Sequence, residues 1–386
     1  MEPFKKPTQT AAPTVRETKV IGQPELLEPA LSAPHHTRWR MMIYRVGYAL
    51  TGLLAFVLAL ELLKRGAAGY GRILIAWLDI SSTANALGFG WLLAYIFLSG
   101  SPVAAVAVAF FASGTIDGLQ TFTMITGSRL GASFIVLFVG FLYHLRGHRR
   151  AASVSIGVLA LLTTAAIYLP ALALGYWLLS SQLVGVISAS ATSPLSSVID
   201  LVVDPLVAIL ASILPEWTLL IVGALGLLGA FSLLDRAIPD IPGGQSVFGK
   251  AGQLLYRPWA MFLLGAAITS FTLSVSVSLS MLVPLTVRGI IRRENALPYI
   301  MGANITTFID TLVAALIVGG AAAFTIVLVE MLCVAFFSLL ALLFFYRLFA
   351  HALLGLQEFI VSSTPRLIGF LGLMLIVPIW LLFVRW

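Results

Sequence analysis

The chain has 386 residues, 60% of them hydrophobic and only 10% charged. Soluble domains carry about 25% charge, so a water-soluble globular protein of this length, a disordered chain and a disulfide scaffold are excluded, leaving an integral membrane protein with several helical spans. The net charge of +7 marks loops on the cytoplasmic side rather than a nucleic-acid footprint, and with one cysteine, Cys333, there is no intrachain disulfide.

Residues 1–40 are polar and rich in Pro and Thr, without the early apolar stretch of a signal peptide. They read as a disordered cytoplasmic tail held near the bilayer by Arg38 and Arg40. Residues 41–150 read as a first transmembrane repeat. It holds a simple span at 42–63, an uncharged run at 80–116 broken at Ser99-Gly100-Ser101-Pro102, and a polar-interrupted span at 119–143. Residues 151–216 connect the halves through a span at 151–179 and a segment at 198–213. There Asp200 and Asp204 share one face, as in a helix lying at the interface or, equally, an ordinary loop.

Residues 217–320 read as a second repeat. A span at 217–234 is followed by the run 259–287, broken at Ser274-Val275-Ser276-Val277-Ser278, and by an interrupted span at 296–320. Residues 321–386 supply C-terminal spans at 323–346 and 367–384. As a helix, 259–273 is roughly 22 Å long, short of the ~30 Å hydrocarbon core. Two half-helices meeting at a serine-rich break describe a re-entrant hairpin or broken helix. Such backbone is tolerated at membrane depth only when covered by protein or lining a cavity, and paired breaks of this kind point to a transporter site.

One constant offset superposes the two breaks without a gap. Gly90 falls on Gly265, Leu98 on Leu273, Ser99 on Ser274, Ser101 on Ser276, Gly114 on Gly289, and Gly127 on Gly302. The basic loop His144–Arg150 reads as cytoplasmic, which puts Asp117 outside. Its equivalent, Arg292, lies in another basic cluster, Arg288 to Arg293, and reads as inside. Equivalent points on opposite faces make the repeats inverted. Lys64, Arg65 and Arg72 run against this orientation, with Asp79 offsetting one of them. The expected fold is an all-α polytopic membrane protein with two inverted-topology repeats. Each repeat has a re-entrant helical hairpin and a broken transmembrane helix.

In the second repeat, Thr272-Leu273-Ser274-Val275-Ser276-Val277-Ser278 precedes Gly302-Ala303-Asn304-Ile305-Thr306-Thr307. In the first, Leu98-Ser99-Gly100-Ser101 precedes Gly127-Ser128-Arg129-Leu130-Gly131-Ala132-Ser133. The interval from Leu98 to Gly127 equals that from Leu273 to Gly302. This resembles the sodium/phosphate cotransporter family, whose halves each carry a Gln-Ser-Ser-Ser motif and then, at the same interval, Gly-Ala/Ser-Asn-Ile-Gly-Thr-Thr/Ser. The resemblance covers roughly 45–145 and 218–320. It implies a secondary transporter of the cell (inner) membrane that moves inorganic phosphate or a similar oxyanion with sodium, by alternating access. Both motif glutamines are leucine here, the middle serines are Gly100 and Val275, and the first-repeat asparagine is Arg129. A different anion, coupling to protons or to no ion, and a non-transporting scaffold or receptor are therefore the alternatives.

The residues themselves suit an anion. Half-helices starting near Pro102 and Leu279 would present unpaired N–H groups and positive dipole ends. Ser99, Ser101, Ser274, Ser276 and Ser278 add hydroxyl donors, or else only cap and pack helices. Arg129 is mid-span, where an arginine marks function; it clamps the anion bidentately or pairs with Asp310 across the repeats. Asn304 offers a carbonyl to a cation or an NH₂ to an anion. Thr306, Thr307, Asp310 and Ser133 offer hard oxygens for a coupling cation, and Asp310 alone suits a proton. Glu330, Asp117 and Glu61 read as solvated or interfacial groups near span ends. No cofactor, metal cluster, P-loop or Ser/His/Asp set is apparent, so an enzyme is not expected.

Overall fold

The computed structural model describes residues 35–78, 80–134, 136–137, 150–181, 194–237, 257–272, 275, 278–279, 282, 286 and 291–384. The N-terminal tail, most of the basic loop after residue 143, and Ser274 and Ser276 of the second break lie outside the described residues. Residues 45–386 form one compact unit. Among the described residues every regular element is a helix.

α1 (His35–Gly66) runs through a widened π turn at Ala67–Gly71 into α2 (Arg72–Trp77). The first uncharged run is two half-helices, α3 (Thr83–Phe97) and α4 (Gly100–Ala112). They part where the sequence turns polar. Leu98 takes φ 49°, a left-handed conformation that costs a non-glycine residue roughly 1–2 kcal/mol, and Ser99 is extended. α4 is apolar all round and buried from Gly100 to Phe110, as a helix surrounded by protein should be. α5 (Gly118–Ala132) opens on a reciprocal cap. Asp117 accepts from the Gln120 N–H at 2.8 Å, and Gln120 accepts from the Asp117 N–H at 3.0 Å.

α6 (Arg150–Ser180) packs against α5 and against helices from the second half. α7 (Pro194–Ile213) buries Val203 and Val207 against Val57, Leu62 and Leu219 and leaves Asp204 exposed. A helix, not a loop, therefore occupies this connection. α8 (Glu216–Ala237) leads to α9 (Pro258–Thr272), then α10 (Arg293–Thr306), α11 (Phe308–Ala314) and a second π turn at Ala315–Gly319. α12 (Gly320–Phe344), α13 (Tyr346–Val361) and α14 (Thr364–Phe383) complete the chain.

Five stretches are long and apolar enough to cross a bilayer: Ile43–Gly71, Val154–Ser180, Glu216–Leu234, Arg293–Phe344 and Thr364–Phe383. The fourth has 52 residues and would measure roughly 78 Å if straight. It is folded instead. Gly320 takes φ 66°, and α12 turns back against α10 and α11.

The offset that superposes the breaks also carries α3 onto α9, end to end, and the residue before α5, Asp117, onto the residue before α10, Arg292. The helix crossings match under the same offset. A Cβ added to Gly90 would overlap the Met124 carbonyl, and one added to Gly265 would overlap that of Tyr299. Gly127 likewise abuts the Leu87 carbonyl, and Gly302 that of Phe262. Glycines at these four places let α3 meet α5, and α9 meet α10, backbone to backbone.

The expectation for Glu330 is overturned. It lies well inside α12 and is 1% exposed, because α12 is covered on several sides by helices that are distant in sequence. Glu61 is also mostly buried and pairs with Lys64 at 3.6 Å. Asp117 is exposed and serves as the α5 cap.

Candidate functional site

The site forms where α5, α4 and α11 meet. Arg129 lies in the last turn of α5, opposite the first turn of α4, and is 2% exposed. Its Nη1 donates to Ser101 Oγ at 3.4 Å and to Thr307 Oγ1 at 3.3 Å, and its Nη2 donates to Thr311 Oγ1. Nη2 also stands 3.6 Å from Asp310 Oδ1. The Thr311 hydroxyl in turn donates to that oxygen at 2.8 Å, so it bridges cation and anion. The guanidinium carbon sits 4.8 Å from the Phe308 ring centre, a cation–π contact. Arg129 Nε and Asp310 Oδ2 have no hydrogen-bond partner among the described residues.

One residue thus ties the first half to the second. Of the two roles open to Arg129 on sequence, the ion pair with Asp310 is formed here. A guanidinium and a carboxylate out of water are each costly alone and tolerable together. Ser101 also lies beside the Asp310 carboxylate.

A second network flanks the first. Ser133 Oγ donates to Thr164 Oγ1 at 2.9 Å, and Asn304 Nδ2 donates to the same oxygen at 3.1 Å. Tyr168 donates to the Asn304 carbonyl at 3.0 Å and stacks on Phe308, with ring centres 6.2 Å apart. Arg129 and Asn304 coincide under the offset that relates the halves, so these equivalent positions lie in neighbouring networks.

The expected residues divide accordingly. Ser101, Arg129, Thr307 and Asp310 are brought together, and Ser133 and Asn304 meet through Thr164. Ser99 is the residue before α4, in extended conformation and without a capping hydrogen bond. Thr306 turns away and bonds the Ala266 carbonyl at 3.0 Å. Ser278 is tied into the second half, to Thr269 at 2.7 Å and Tyr299 at 2.9 Å, and among the described residues shares no partner with Ser101. Thr311, Thr164, Tyr168 and Phe308 were not singled out on sequence. Thr311 had a signal, being one helical turn after Thr307 and so on the same helix face. The others are ordinary-looking residues of apolar helices. Among the described residues no three His, Cys, Asp or Glu side chains gather as a metal site.

Comparison with protein-family models, with curated proteins and with solved structures returns no match for this chain.

Proposed function

We propose that the protein is a multi-pass secondary active transporter of inorganic phosphate or a similar oxyanion, working by alternating access between two inverted repeats. One observation carries the reading: a fully buried arginine of the first half is hydrogen-bonded to the first turn of a buried half-helix and to the second half's Thr307 and Thr311. An arginine at such depth is expensive unless it has a task. The orphan N–H groups opening α4 and the free Nε of Arg129 are donors on adjoining elements, the combination an oxyanion needs once it leaves water. The repetition of elements and glycine crossings at one offset supports duplication, and the basic clusters on either side of it support inversion. The resemblance to the sodium/phosphate cotransporter family supplies the substrate class.

The oxygens that the resemblance gives to sodium are engaged differently. Thr307 and Asp310 serve Arg129, Ser133 serves Thr164, and Thr306 serves Ala266. In this reading the guanidinium is the fixed cation beside Asp310, where the family would place a mobile one. A hydrolase built on Ser101 is not favoured, since the neighbouring carboxylate is committed to Arg129 and Thr311 and is no free base.

The test is equilibrium binding of labelled phosphate to the purified protein. Saturable binding is expected, weakened about tenfold in Ser101→Ala, the loss typical of one hydrogen bond to a charged ligand. Absence of saturable binding by the unaltered protein would sink the proposal. So would full affinity in Arg129→Ala, which would leave the arginine a structural tie.

A further inference from the structure

Glu330 stands apart from every role described so far. It is 1% exposed and well inside α12, and neither carboxylate oxygen has a hydrogen-bond partner among the described residues. Thr126, on α5 beside it, gives its hydroxyl proton to the Phe122 carbonyl at 3.0 Å. The titratable groups within electrostatic reach are Arg129 from α5, Tyr168 from α6 and Cys333 one turn along α12. Tyr168 lies within electrostatic reach of Asp310 as well, so the lone acid shares a neighbour with the Arg129–Asp310 cluster.

Among the described residues, the other elements packed on α12 bring no further cation inward. α4 and the π turn at Ala315–Gly319 have no titratable side chain, and α11 has only Asp310. On α10, Tyr299 is engaged with Ser278, while Arg293 and Glu294 lie at the solvent-reached start of the helix. On α13, Arg347, His351 and Glu358 are exposed, and the Tyr346 hydroxyl donates to the Glu294 carbonyl.

The charge balance is therefore simple. Arg129 is matched by Asp310 at 3.6 Å, and no second cation among the described residues faces Glu330. An ionised carboxylate here would be a buried charge whose cation in reach, Arg129, is already matched by Asp310, which costs several kcal/mol. A proton on Glu330 makes the cluster neutral. Arg129 is the cation within electrostatic reach, so Glu330 can give up its proton only while Arg129 holds no anion.

We infer that Glu330 is the proton-carrying group of the transporter, and that it couples the entry of the anion at Arg129 to the uptake of one proton. The inference rests on the transport reading above. An oxyanion arriving beside Arg129 adds negative charge near Glu330 and so tightens its hold on a proton. By reciprocity the proton tightens the hold on the anion by the same factor. The balance is closed: one proton comes from the water on the side where the anion enters, converts the carboxylate to the acid, and returns to water on the side where the anion leaves.

The experiment uses the full-length protein in proteoliposomes with inorganic phosphate as probe, comparing the unaltered protein with Glu330→Gln, which mimics the protonated acid. An imposed pH gradient, without sodium, should concentrate phosphate through the unaltered protein. Glu330→Gln should lose that accumulation and the pH dependence of phosphate exchange, while still exchanging phosphate for phosphate. Accumulation driven by the pH gradient through Glu330→Gln, or driven only by sodium in the unaltered protein, overturns the inference. An infrared difference spectrum of the purified proteins gives an answer that needs no transport. A protonated carboxylic-acid band present in the unaltered protein, missing in Glu330→Gln and titrating with pH supports the assignment, and its absence overturns it. If neither protein exchanges phosphate, the transport reading fails, and the infrared band still decides whether Glu330 holds a proton.

Discussion

Breaking the Arg129–Asp310 pair should be far more harmful than removing it. Asp310→Leu leaves the guanidinium buried with only the Ser101, Thr307 and Thr311 hydroxyls and the Phe308 ring. Arg129→Met leaves a buried carboxylate with the Thr311 and Ser101 hydroxyls but no cation beside it. Each single change strands a charge at a site less than a tenth exposed, and the cost of such stranding is about 3–5 kcal/mol. In a chain of this size that is a fall in melting temperature of about 4–6 °C. The double variant has no charge to strand. Its freed hydroxyls can turn to carbonyls one helical turn back, as Thr126 and Thr163 already do. Its stability should lie within about 1 kcal/mol of the unaltered protein, giving a coupling energy of roughly 5 kcal/mol or more. Thermal unfolding of the four proteins in one detergent measures this. If the two single effects add to within about 0.5 kcal/mol, the pair is not the tie between the halves.

Two further outcomes follow from the fold. Gly90→Ala and Gly265→Ala should each destabilise by at least about 1–3 kcal/mol, the range for overpacking. Each new methyl would press on a backbone carbonyl, whereas Gly355→Ala, with open space around it, should be neutral or slightly stabilising. Equal losses in the two halves are expected from thermal unfolding, and a tolerated Gly90→Ala would contradict the backbone-to-backbone crossing. For topology, single cysteines at 117 and 292 in a Cys333→Ser background should react with an impermeant thiol reagent from opposite sides of the membrane. Labelling of both from one side would rule out inversion.

Much of the fold was legible because charge is scarce. In a chain with so few charged residues, their positions bracket α3, α4, α6, α8 and α14 almost directly. The break between α3 and α4 was announced by Ser99, Gly100 and Pro102, residues that do not continue an apolar helix smoothly. What escaped depended on packing between distant segments. α13 is an amphipathic helix carrying exposed Arg347, His351 and Glu358, and mean hydropathy, which finds spans, passes over such a helix. Glu330 looked like an acid near a span end, since its burial comes from α5 and α6 and not from its neighbours in sequence. Arg129 was recognisable as important, but spacing along the chain does not decide between a bound anion and an aspartate in the other half of the molecule. The hydroxyls of Thr164, Tyr168 and Thr311 had little to distinguish them, because a hydroxyl in an apolar helix ordinarily bonds its own backbone.

Phosphate counterflow tests transport itself without assuming any coupling ion. Proteoliposomes loaded with unlabelled phosphate are diluted into a trace of labelled phosphate, with no ion gradient. Transient accumulation of label inside, well above that of protein-free vesicles and abolished in Arg129→Ala, is the expected result. Label that never rises above the protein-free level would contradict a carrier for this anion and leave the buried arginine as part of a static scaffold.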